Sequence, residues 1–138
     1  VSVTLIPFEP HHLRLITPQP AQEGEFQEQQ GAPAGQAWTA VVDGLPICVG
    51  GLTEIWRGRA YAWALLTVDA GPHMLGLTRE IRSTLDRATF ARIEMVVEKD
   101  FLAGRRWAEM LGFSLETPEA LRCFLPSGRD AWIYSRIK

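Results

Sequence analysis

The sequence predicts an α/β (α+β) fold: a mixed, mostly antiparallel sheet of about seven strands combined with three helices. Three observations carry that expectation. Asp43 and Gly44 separate two β-rich runs, "AWTAVV" and "ICVGGLTEIW", with a dipeptide that tolerates positive φ in a tight turn. Met74, Leu77, Ile81, Leu85 and Ala88 recur at spacings of 3, 4, 4 and 3, one face of an amphipathic helix. "ARIEMVV" then reads as a mostly apolar strand feeding a short helix that stops at Gly112.

In chain order, "VSVTLIPF" alternates and ends at Pro7 as a first strand. Residues 9–36 are polar and rich in Gln, Pro and Gly, and a Pro start with a Gly stop places a short helix over about 19–30. The Asp43–Gly44 hairpin follows, and Arg57 with Gly58 marks a second turn before "RAYAWALLTV", giving three consecutive antiparallel strands. Pro72 suits a helix start because its missing N–H needs no partner there. Asp100 is a candidate N-cap and Gly112 a C′ residue for the last helix, whose inner face is Phe101, Gly104, Ala108 and Leu111. "ALRCFLP" and "AWIYSRIK" around "SGRD" close the chain as a second hairpin. No linker or repeat divides the sequence, so residues 1–138 read as one domain.

Composition narrows the function classes. A net charge of −2 supplies no field toward nucleic acid or an anionic membrane, and no apolar run has the length of a transmembrane helix. The opening segment is too short for a secretory core, so the expected location is cytoplasmic. Residues 1–50 carry five acids and one base, and 12 of the 14 basic residues are Arg. That bias fits phosphate or carboxylate recognition and fits an Arg-rich genome composition equally. Cys48 and Cys123 both fall in apolar runs and read as a reduced, buried pair; with no CxxC and no His cluster beside them, no metal site is expected. The five tryptophans either line an acceptor pocket or fill the core and a homodimer interface.

"IEMVVEKDFLAGRRWAEMLGF" over 93–113 and the hairpin "DGLPICVGGL" resemble the GNAT superfamily of N-acetyltransferases, with Met95, Val97, Glu109, Leu111, Gly112 and Phe113 in register. "PQP", "DAGPHMLGLTR", "GRRWAEMLGF" and "GRDAWIYSRI" look closest to short GNAT-like proteins of phages and prophages. The resemblance covers essentially the whole chain and implies helices on both faces of the sheet.

It also implies a mechanism in which acetyl-CoA lies between the splayed fourth and fifth strands and an amine attacks the thioester directly. The cofactor-binding positions it implies are Leu66, Val68, Gly71, His73 and Met74. Of the family's phosphate-loop pattern, Gln/Arg-x-x-Gly-x-Gly/Ala, only Gly71 survives, and Asp69 at this helix start would repel a pyrophosphate. The family's acidic Tyr is replaced by Ala108, beside Trp107, and its Asn by Phe101; Tyr134 is the substitute acid that can be named. "RAYAWALLTV" contains no carboxylate, which leaves Glu54 and Glu94 as candidate bases. Two readings follow: an acetyl-CoA-dependent N-acyltransferase acting on a small-molecule or protein amine, or a GNAT-fold protein without the chemistry, serving as a virion or interaction component.

Overall fold

The computed structural model describes residues 2–22 and 35–138. Seven strands form one sheet: β1 (Thr4–Pro7), β2 (Gln36–Val42), β3 (Leu45–Trp56), β4 (Arg59–Leu66), β5 (Arg92–Glu98), β6 (Ser114–Leu115) and β7 (Ala131–Ile137). Among the described residues two α-helices accompany them, α1 (Met74–Arg87) and α2 (Leu102–Met110), with 3-10 segments at Pro10–Leu15, Pro20–Gln22 and Val68–His73. The strand order is β1-β2-β3-β4-β5-β7-β6, and every neighbouring pair is antiparallel except β4–β5. A parallel pair needs a crossover, and α1 provides it.

The turn chemistry behaves as the sequence requires. Asp43 and Gly44 both take positive φ, 51° and 77°, the geometry of a type I′ turn whose twist matches the flanking strands. Gly112 at φ 93° ends α2 in a Schellman motif: its N–H donates to Glu109 O and that of Phe113 to Ala108 O. Leu77, Ile81 and Leu85 of α1 are buried, as are Gly104, Trp107, Ala108 and Leu111 on the α2 side. Both helices share one core with Ala40, Cys48, Leu52, Ala60 and Ile93 of the sheet. A smaller cluster on the other face, Val49 and Leu65 beneath Leu13 and Ile16, is covered by the Pro10–Leu15 segment. Among the described residues, helical elements therefore lie on both faces, the α-helices on one and a 3-10 segment on the other.

Three expectations need correcting, and a fourth, the helix over 19–30, falls mostly outside the described residues. The segment expected as a helix over 19–30 shows a 3-10 turn at Pro20–Gln22, and residues 23–30 lie outside the described residues. Asp100 does not cap α2: the cap position is Phe101, with no side-chain bond, because Asp100 sits in the turn leaving β5. In the closing hairpin, 120–126 contributes a single bridge, Leu121 to Ala131; β7 pairs with β6 instead. Cys123 is exposed at φ 53°, so only Cys48 is buried, and burial pushes the Cys48 thiol far up, removing it as a nucleophile.

Candidate functional site

Along their first half β4 and β5 are paired, residue 59 to 92 through 61 to 94, and beyond that no pairing continues. The strands diverge, and a cavity of about 180 Å³ occupies the opening. Residues from both faces of β4 line it: Ala62, Ala64 and Leu66 from the helix face, Tyr61 and Trp63 from the other. A strand shows both faces to one cavity only at an open edge. Met95, Val96 and Val97 form the β5 wall, and Met74, Phe101, Gly104 and Trp107 close the helix side.

Local sequence sets this shape. Ala62 and Ala64 are too small to fill the space between the sheet and the helices. Gly104 lets α2 approach β5, since a Cβ there would lie 2.6 Å from the Phe101 ring and 3.1 Å from Val97. The indole N–H of Trp107 donates to Thr78 Oγ1 at 2.9 Å, and that hydroxyl donates to Met74 O. Trp107 thus ties α2 to α1 and has no proton left for a ligand. Trp63 differs: among the described residues its Nε1 is buried without a hydrogen-bond partner, though the side chain lines the cavity. Trp38 lies against Gly50, Arg59 stacks over Trp56 and Arg105 over Trp132, so the tryptophans divide between core, cavity and surface.

The open edge of β4 already has occupants. Thr67 N–H points to β3, where Ile47 O accepts it, so by alternation Ala64 and Leu66 present their N–H and C=O groups to the gap. Gln22 Nε2 donates to Ala64 O at 2.7 Å, and its Oε1 accepts from Leu66 N–H at 2.9 Å. Gln19 N–H donates to Leu66 O, and Val68 N–H to Thr17 O. Residues 17–22 therefore lie where a further strand would.

The five positions expected to hold coenzyme cluster at this end. Leu66 and Met74 line the cavity. Val68 has spent its N–H on Thr17 and exposes its side chain. Gly71 has no positive φ, and a Cβ there would meet nothing within 4 Å, so the space above the turn is open. His73 is the N-cap position of α1 and makes no side-chain cap bond. Asp69 is exposed in the first turn of Val68–His73.

The three candidate proton carriers are not brought together. Glu54 is exposed near the turn end of β3, opposite Ala60, away from the cavity. Glu94 is buried on the face opposite the helices: Oε1 accepts from Arg59, and Oε2 from Arg92 Nε at 2.8 Å. Both oxygens of this carboxylate are thus engaged by guanidiniums. Tyr134 is fully buried, its oxygen accepts from Arg105 Nε at 2.9 Å, and it is not among the cavity-lining residues. Arg92 also pairs with Glu116, whose carboxyl is pulled down to about 2 by that bond and by the Ser135 hydroxyl. The Arg-rich composition is thus partly absorbed by internal carboxylates.

One cluster carries metal-type donors among the described residues: Glu9, His11 and His12. His12 Nδ1 accepts from Glu9 N–H at 3.0 Å and sits 2.6 Å from Thr39 Oγ1. With Nδ1 accepting, the neutral ring carries its proton on Nε2, so neither nitrogen offers a lone pair to a cation.

Sequence reasoning missed Gln22, and it offered Trp63 only as one of five tryptophans that either line a pocket or fill the core and an interface. Gln22 sits in a Gln-rich polar stretch with nothing to single it out. For Trp63 a signal existed: in "YAWALL" large and small residues alternate, which marks a strand with one thinly covered face.

No family model and no curated protein matches the chain. Solved structures do. The ribosomal-protein-S18-alanine N-acetyltransferase of Escherichia coli aligns over 98% of this chain and 93% of its own at TM-score 0.68 and 19% identity. A chimera of the Vibrio cholerae spermidine N-acetyltransferase SpeG with hSSAT aligns over 99% and 96%, at 0.71 and 16%. The IAA acetyltransferase of Bacillus cereus aligns over 99% and 100%, at 0.70 and 14%. At these identities the likeness establishes the fold, which this chain shares with N-acetyltransferases of the GNAT type.

Proposed function

We propose that the opening between β4 and β5 is a coenzyme cleft and that the protein is an acetyl-CoA-dependent N-acyltransferase acting on an amine. One observation carries the reading: two parallel strands pair at one end and separate at the other, leaving an edge of amides beside a cavity, with the start of α1 at the same end. Such an edge bonds an extended amide chain as an added strand would, and a helix start favours a pyrophosphate. The ribosomal-protein-S18-alanine and spermidine N-acetyltransferases whose fold this chain shares support this chemistry.

In this reading the amine attacks the thioester carbonyl, the carbon–sulfur bond breaks, and the acyl group passes to nitrogen. The group assigned to the developing oxyanion is Ala64 N–H, on the same side of β4 as the carbonyl that meets Gln22. A Lys-like amine near pKa 10.4 is neutral in about one molecule in a thousand at pH 7. With Glu54, Glu94 and Tyr134 all away from the cavity, water takes the amine proton and the sulfur leaves as thiolate. A thiol near pKa 8.5 leaves in that form without an acid close to neutral pH. The rate then rises with pH until the amine is neutral.

The test is ligand stabilisation followed by turnover. Acetyl-CoA at a hundred times its Kd should add about 2.7 kcal/mol, several degrees of Tm for a domain of this size. Thiol release with a panel of amines then identifies the acceptor. No shift at millimolar ligand overturns the reading. Replacing Asp69 with Gly should tighten binding by about two- to five-fold, the worth of one charge at a helix start.

A second reading keeps the fold without the chemistry, as a virion or interaction component of phage type. The observation favouring it is the occupation of the β4 edge by residues 17–22.

A further inference from the structure

We propose that the Gln22 side chain is an internal stand-in for the amide of an extended ligand, a strap that the ligand must displace before the cleft can fill. This rests on the coenzyme reading above and specifies how that same site is regulated. Edge groups two residues apart on a strand are what a neighbouring extended chain bonds to, one carbonyl accepting and one N–H donating. The primary amide of Gln22 meets that pair, donating to Ala64 O and accepting from Leu66 N–H, while buried to 5% exposure.

The strap is short and irregular. Pro18 makes a lone antiparallel bridge to Thr67, and Pro20–Gln22 is a single 3-10 turn held by Gln22 N–H on Gln19 O. Opening it breaks a few bonds that the incoming chain replaces. The space beneath is undersized without that movement: about 180 Å³ is short of the roughly 300 Å³ at which small-molecule sites begin. Gln22 itself lines the cavity, so its withdrawal enlarges the volume and uncovers the bonding edge in one step. While the strap is closed, apparent affinity falls by the fraction of molecules in which it is open.

The experiment measures binding of two probes, coenzyme A and pantetheine, to the wild-type chain and to Gln22→Ala, together with hydrogen exchange at the Leu66 amide. Pantetheine carries the amide chain without the pyrophosphate, so it reports on the strand edge alone. The expected result is about ten-fold tighter binding to Gln22→Ala, with Leu66 exchange faster in the free variant and slowed again by ligand. Gln22→Glu keeps the acceptor for Leu66 N–H and loses the donor to Ala64 O, so it should gain less; it serves if the Ala variant folds poorly. Equal or weaker coenzyme A binding to Gln22→Ala overturns the strap and leaves the coenzyme reading standing. Pantetheine bound by the variant alone, with coenzyme A bound by neither, keeps the strap and overturns the coenzyme reading. No binding of either probe to either protein overturns both.

Discussion

The same two strands end in opposite ways. Where residues 59–61 face 92–94, β4 and β5 are joined by backbone pairing and cross-linked by Arg59, Glu94, Arg92 and Glu116. A few residues on, alanines replace arginines, the pairing stops, and the β4 edge is met by glutamines from elsewhere in the chain. The closed half satisfies its polar groups with charge and regular geometry. The open half satisfies them with a removable side chain and leaves one indole N–H unmet. A sheet that separates at one place needs anchoring beside it, and the ionic network supplies that anchor.

The sharpest way to break this contrast is to unfasten the closed half. Glu94→Ala leaves the Arg59 guanidinium without its carboxylate and Arg92 with Glu116 alone, and should cost about 2 kcal/mol in urea unfolding; a loss below about 1 kcal/mol would show that backbone pairing alone holds the strands. Next is the spacing of the open half. Gly104→Ala forces a Cβ against Phe101 and Val97 and should cost about 1–2 kcal/mol, with reduced occupancy of the cleft. Trp63→Phe should change stability by no more than about 1 kcal/mol, because lost ring volume is offset by removing an unpaired donor. If a ligand carbonyl uses that donor, affinity for the ligand falls while stability does not.

The smallest effect is a pH dependence. The Glu116 carboxyl titrates lower in the folded chain, about 2, than its ordinary 4.5, because Arg92 and Ser135 hold the anion. Between those values the unfolded chain binds the proton and the folded chain refuses it, so this contribution is complete above pH 4.5 and is lost on acidification toward 2. Glu116→Gln should flatten stability against pH in that window and leave neutral-pH behaviour nearly unchanged. His12 acts in the same direction at milder pH: burial and the neighbouring His11 lower its pKa, so stability declines as pH falls below 6.5. A scan of Tm against pH for Glu116→Gln separates the two.

Legibility followed the range of each interaction. The positive-φ pair at Asp43 and Gly44, the Gly112 stop and the buried stripe Leu77, Ile81, Leu85 are local, and the sequence declared all of them. Where a local cue had rivals it misled: Asp100 looks like a cap, but the turn leaving β5 takes it past the helix start. The five positions implied by resemblance collect at one end of β4, and two of them line the cavity. The proton carriers fared differently, since Glu54, Glu94 and Tyr134 were chosen by residue type, while their partners come from distant strands and helices.

By itself, then, the sequence determined the faces: which residues turn inward, where strands reverse, and where helices stop. Those depend on periods of 2 and 3.6 and on backbone preferences of single residues, all of which are written locally. Only the tertiary structure decided what meets the open edge. Gln22 reaches Leu66 across 44 positions and Arg59 reaches Glu94 across 35, and no period connects such pairs. They form because an exposed N–H or a buried carboxylate must find a partner within bonding distance in the folded chain.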